Sequence, residues 1–213
     1  MCDFQADREA LPPLKADEYR LDNSRVRGFI AEVRKRIAAA HSPREACEMI
    51  GPPFAELLLD REWLPASFQE PARDSGMGGG IGQWLIFRAA DRSLSLFSLV
   101  VPPGAMTPVH DHLAWGLVGV YSGNQDEEFY SPGDGRLDLV RRRPLDHGDF
   151  YALLPPRDDV HRVRTTSAKT SVSIHLLASD TGCVWRHTFD ETGEATPFRS
   201  GYVNAECESG TGP

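Results

Sequence analysis

Between residues 22 and 41 the apolar side chains Val26, Phe29, Ile30, Val33 and Ile37 recur at helical spacing, which predicts an amphipathic helix. Ser42-Pro43-Arg44-Glu45 then reads as a capping box with proline at the first helical position. It predicts a second helix that ends near Asp60 and is broken early by Gly51-Pro52-Pro53. Residues 74–82 hold five glycines, Gly76, Gly78, Gly79, Gly80 and Gly82. No Lys-Ser or Lys-Thr follows them, so the stretch reads as a linker or turn rather than a phosphate loop. From Gln83 onward the texture changes to short alternating or apolar runs at 83–88, 94–101, 117–121, 136–141, 149–154, 160–165, 171–177 and 182–189. Turn signals separate them at Pro102-Pro103-Gly104, Ser122-Gly123-Asn124, Pro132-Gly133-Asp134-Gly135 and Pro155-Pro156. Many short strands at this spacing predict an all-β barrel or jelly roll. The organisation expected is a helical N-terminal section (1–75) packing on the barrel, a barrel (76–204) and a flexible tail (205–213). The first ten residues also read as a loose end.

Composition changes this picture little. The 213 residues are 40% apolar and 25% charged, as in an ordinary globule. The net charge of −8 disfavours a nucleic-acid partner, which would need a basic surface. The one basic run, Arg141 to Arg143, precedes Pro144 and reads as a solvated turn. No long apolar run or leader-like segment is present, so neither membrane spanning nor secretion is expected. Cys2, Cys47, Cys183 and Cys207 are scattered without a C-x-x-C pair. Free thiols in a reducing cytoplasm are the expectation. Oligomeric state is left open by the sequence.

Candidate chemistry lies in His110-Asp111-His112 and in His161. Two histidines two apart on a strand share a face. A third from another strand closes a set of three neutral imidazoles, which holds a divalent first-row metal and leaves about three octahedral positions free. Glu127 or Glu128 is the competing source of a carboxylate ligand; His147 and His41 read as solvent-facing.

Gly104-Ala-Met-Thr-Pro-Val-His110-Asp-His112 resembles the first cupin motif, with Gly123 in its closing glycine position and Gly116 where many cupins carry a glutamate. Residues 148–161 resemble the second motif, with Pro156 and Asp158 ahead of His161. The resemblance implies a cupin double-stranded β-helix with three histidine ligands and no carboxylate. Such a centre keeps its full 2+ charge and would deprotonate a thiol bound to it.

Four further segments narrow the likeness: 107–116, 159–163, 170–175 and 197–202. Together they resemble bacterial thiol dioxygenases of the 3-mercaptopropionate dioxygenase group, relatives of cysteine dioxygenase. The resemblance implies a non-haem Fe(II) enzyme that adds both atoms of O2 to the sulfur of a small mercapto-carboxylic acid. Ser173 and His175 match the first two members of that family's Ser-x-His-x-Tyr relay, and Leu177 stands where the tyrosine would be. The cysteine that crosslinks to this tyrosine in animal enzymes would fall near Leu117, so no crosslink is possible. Arg186 aligns with the arginine that holds the substrate carboxylate, since a guanidinium matches carboxylate geometry. Arg88 is a second candidate of this kind, and with both arginines inward a dicarboxylic thiol such as mercaptosuccinate would fit. Trp115 and Tyr202 are expected to line or close the pocket, with core packing as the competing account. The alternatives are a three-histidine oxygenase acting on a non-thiol acid or ketone, and a non-catalytic metal-binding cupin.

Overall fold

The computed structural model describes residues 11–73, 76–133 and 135–207; the amino-terminal loose end, Cys2 and the tail beyond Cys207 lie outside them. Helix α1 (Ser24–Ala39) starts at Asn23, whose side chain accepts a hydrogen bond from the Val26 amide at 2.8 Å. Its buried stripe is Val26, Phe29, Ile30 and Val33. Helix α2 (Pro43–Leu59) starts at Ser42, which accepts from the Glu45 amide at 3.1 Å. The Glu45 carboxylate reaches back to the His41 amide at 2.7 Å. The expected break at Gly51-Pro52-Pro53 does not occur, and α2 runs through both prolines. Pro53 has no N–H to give the Met49 carbonyl, and Arg36 of α1 donates to that carbonyl instead.

The strands are β1 (Glu18–Tyr19), β2 (Gly82–Arg88), β3 (Ser95–Val101), β4 (Val109–His110), β5 (Gly116–Ser122), β6 (Gln125–Gly133), β7 (Arg136–Leu145), β8 (Phe150–Leu153), β9 (His161–Thr165), β10 (Ser171–Leu177), β11 (Arg186–Phe189) and β12 (Ala195–Phe198). They form two antiparallel six-stranded sheets, ordered β1-β2-β3-β10-β5-β8 and β12-β11-β4-β9-β6-β7. From β3 to β10 the chain passes back and forth between the sheets, staying in the second only for the β6–β7 hairpin. That is the jelly-roll path of the cupin double-stranded β-helix.

Alternation along the first sheet sorts its residues between two cores. Leu96, Val100, Leu117, Tyr121, Val172, Ile174 and Leu176 face α1 and α2. Phe97, Val118, Val120 and Leu177 face the barrel interior with Phe129, Tyr151 and Leu153. Gly119 lets α2 settle on β5, because a Cβ there would collide with Leu58 and Phe150.

Several expectations need correction. Arg141 to Arg143 lie inside β7, an edge strand where Pro144 costs no ladder bond. Arg142 pairs with Glu128 at 3.0 Å and Arg141 with Asp158 at 3.1 Å, so the run is a stretch of strand with ion-paired side chains rather than a turn. Strand β6 went unforeseen because three of its buried positions, Gln125, Glu127 and Glu128, are polar. The residues after Gly182 turn before the strand begins at Arg186. Cys183 and Cys207 form a disulfide, so these thiols are not free, and residues 205–207 are fastened to the barrel. Cys47 is free and buried. No helix among the described residues is long and apolar enough to cross a membrane.

Candidate metal centre

Strands β4 and β9 are neighbours, and their pairing sets His110 directly opposite His161. The three imidazoles converge: ring centroids are 4.7 Å apart for His110 and His161, 4.9 Å for His110 and His112, and 4.8 Å for His112 and His161. One nitrogen from each ring lies within 4.8 Å of the others, and all three residues are buried.

The way His112 arrives differs from simple strand alternation. Strand β4 ends at His110, and Leu113 takes a φ of +54°. Asp159 holds this departing loop, accepting from the amides of His112 at 2.8 Å and Leu113 at 3.0 Å. His110 Nδ1 lies 2.9 Å from the Pro108 carbonyl, which leaves its Nε2 for the interior. His161 Nδ1 stands 2.8 Å from Glu127 Oε2 and 3.3 Å from the Tyr151 hydroxyl. Its Nε2 is buried without a hydrogen-bond partner.

That orphaned nitrogen tests whether the residues suit a metal. A buried polar atom without a partner costs roughly 1–3 kcal/mol, and a cation placed among the rings removes the cost. Burial first, then the charge of His161, pushes the His110 and His112 imidazoles well below the usual histidine range. Neutral rings are the form that ligates. The donor set therefore fits a divalent first-row cation. Glu127 faces the outer nitrogen of His161 and is not among the ligands, and Glu128 is engaged with Arg162, Arg142 and Tyr130. Nor can position 116 supply a glutamate, because a Cβ there would run into the Leu176 carbonyl oxygen.

Ser173 and His175 are brought to the centre. Strand β10 turns Ser173, His175 and Leu177 to the interior, and Ser173 Oγ lies 3.0 Å from His175 Nε2. The His175 ring lies 6.3 Å from that of His112 and stacks on Phe97 at 4.8 Å. Its Nδ1 is buried and unpartnered. Burial, then the charges of His161 and Arg186, pushes this imidazole down to about 3. Leu177 fills the next interior position with hydrocarbon.

Arg186 opens β11 and is fully buried. It donates to the Asp111 carbonyl at 2.8 Å, Ser200 Oγ at 2.9 Å and the Thr181 carbonyl at 3.3 Å. These are neutral acceptors, and no carboxylate forms an ion pair with it among the described residues. Burial lowers its pKa to about 10. Its charge depresses His110, His112 and His175, so it lies within electrostatic reach of the centre.

The other three candidates sit elsewhere. Arg88 spends its donors on Glu18 at 2.6 Å, Asp180 at 3.3 Å and the Glu206 carbonyl at 3.2 Å. It is a hub that ties the tail and β1 to the barrel, not a free substrate anchor. Trp115 packs against the helix-side core, on the opposite face of the sheet from the histidines. Tyr202 donates to Asp180 at 2.9 Å and meets the edge of Phe97 at 5.8 Å, so it backs the ring behind His175. His147 is half-buried, with Nδ1 2.9 Å from the Tyr121 carbonyl, rather than solvent-facing.

Sequence reasoning passed over Tyr151, Asp159 and the pairing of Asp111 with His187 at 2.7 Å. The sole signal for Asp159 was its place two residues before His161. Tyr151 and His187 gave none, because only the fold brings them to the ligands.

No family model matches the chain. Among solved structures, it is similar to an oxalate oxidase, 18% identical over 43% of this chain and 45% of that one, with a TM-score of 0.36. An oxalate decarboxylase from Lactobacillus farciminis in its formate complex aligns at 14% identity over 42% and 25%, with a TM-score of 0.35. A cupin domain of an XRE family transcriptional regulator from Enterobacter cloacae aligns at 20% identity over 46% and 94%, with a TM-score of 0.35. The matched region thus spans less than half of the oxalate oxidase and about a quarter of the decarboxylase.

Proposed function

We propose that this protein is a non-haem Fe(II) thiol dioxygenase that converts a small mercapto-carboxylic acid and O2 to the sulfinic acid, R–SH + O2 → R–SO2H. The observation that carries the reading is a three-imidazole centre with no carboxylate ligand beside a buried arginine that forms no ion pair among the described residues. His110, His112 and His161 would hold the iron. When bound, it supplies open coordination positions and the redox chemistry by which O2 oxidises sulfur.

The protein's own residues supply the rest. Three neutral ligands and Arg186 together favour a substrate carrying two negative charges, a thiolate and a carboxylate. Three of the five N–H donors of Arg186 are used by Asp111, Ser200 and Thr181, which leaves donors for the carboxylate. Those three contacts also fix the guanidinium, so little side-chain entropy is lost on binding. Ser173 orients His175, whose unpartnered Nδ1 is available to a polar substrate group or to a proton held near the reacting sulfur.

One observation favours a second reading. Leu177 removes the phenol that the resembling dioxygenases place beside the iron, which suits a three-histidine oxygenase acting on a different acid or ketone. Oxygen uptake by the iron-loaded protein with mercaptopropionate, cysteine, mercaptosuccinate and cysteamine separates the readings. Uptake with the carboxylated thiols, sulfinate as product and little turnover of cysteamine is the expected result. Uptake with none of the four removes the thiol reading, and protein purified without any bound metal removes the oxygenase class.

A further inference from the structure

Glu127 is fully buried on β6, one of the chain's least accessible charged groups. Its Oε2 lies 2.8 Å from His161 Nδ1. Arg143 stands across from it on β7 but turns aside, its guanidinium over the Tyr151 ring at 5.3 Å and donating to the Phe150 carbonyl at 3.4 Å. No Arg or Lys pairs with Glu127 among the described residues. A carboxylate buried without a cation costs several kcal/mol, so its place beside a ligand ring asks for a reason.

The reason is on the other side of that ring. His161 Nε2 is an orphan pointing to the convergence of the three histidines, while Nδ1 faces the carboxylate. A dication on Nε2 polarises the Nδ1–H and gives Glu127 its missing positive partner. Neither carboxylate oxygen has a hydrogen-bond partner among the described residues. A proton on Nδ1, beside the carboxylate, leaves the lone pair of Nε2 for the metal. Gly116, meanwhile, cannot carry the glutamate that would place a negative charge directly on the metal. We infer that Glu127 is a positioning residue that returns this charge through His161, tuning a three-histidine centre from one residue outside it. The inference rests on the reading that these histidines hold a divalent metal.

Cobalt(II) affinity, measured by competition with a chelator, and the midpoint potential of the iron-loaded protein test it without reference to turnover. In Glu127→Gln, cobalt affinity should fall on the order of 10–100-fold. The iron potential should rise, since the lost negative charge favoured the ferric state. The metal-free variant should melt no lower than the metal-free parent, because the carboxylate has no partner there. Glu127→Met, apolar and of similar length, repeats the test should the glutamine variant not fold. A parent that binds cobalt, with variants of equal affinity and equal potential, overturns the inference. A parent that binds no cobalt, or a His110→Ala variant that binds it equally well, overturns the metal centre itself, which is a separate failure.

Discussion

A guanidinium buried against neutral acceptors keeps its charge at a cost, and Arg186 accepts that cost beside the three histidines. Arg186→Ala should therefore raise KM for carboxylated thiols, on the order of 10- to 100-fold, the worth of a charge-assisted hydrogen-bonded pair. Steady-state kinetics check this, and an unchanged KM would remove the anchor. His175 carries a prediction in pH. Its folded pKa is about 3, against about 6.5 in the unfolded chain. Between those values the unfolded state binds the extra proton, so stability rises with pH across this window and is lost as pH falls through it. Metal-free His175→Phe should lose less stability than the parent between neutral pH and pH ~4, by up to a few kcal/mol, as read by urea unfolding. The ligands and the Ser173–His175 pair were legible because each belongs to a local motif. The fate of Arg88 was not, since Glu18, Asp180 and Glu206 approach it from distant parts of the chain. Nor was the role of Glu127, which depends on β6 lying beside β9.

Elements divide along the same line. Strand β10 was legible end to end because its serines and His175 alternate with Val172, Ile174 and Leu176. Strand β6 was not, as its buried first half carries Gln125, Glu127 and Glu128 where apolar residues would have marked a strand. Helix α2 shows a local rule overridden from outside: proline should stop it, yet Arg36 supplies the hydrogen bond that Pro53 withholds from Met49. Arg36→Ala should cost about 1–3 kcal/mol by leaving that carbonyl unpaired, a loss visible as a lower urea midpoint. An unaltered midpoint would mean that solvent satisfies Met49 instead. Gly116→Ala should be still more damaging, since β5 and β10 would have to part at the Leu176 carbonyl.

At the scale of the whole molecule, the jelly roll places β4 and β9 side by side, which brings together His110 and His161, 51 positions apart in sequence, while Asp159 holds the loop that delivers His112. Two helices cover the outer face of the first sheet, and the Cys183–Cys207 disulfide closes the carboxyl-terminal segment onto the turn that leads into Arg186. The bond spans 24 residues, so its reduction should lower stability by about 3 kcal/mol on chain entropy, testable by unfolding with and without a dithiol reductant. The overall class was readable from strand spacing and turn signals. The disulfide was not, because cysteines so far apart in sequence declare no pairing. The most direct measurement is mass spectrometry of the product formed from mercaptopropionate by the iron-loaded protein under isotopically labelled O2. A sulfinate carrying both labelled oxygen atoms is the expected result. Disulfide, or sulfinate with oxygen drawn from water, would contradict a dioxygenase built on these three histidines.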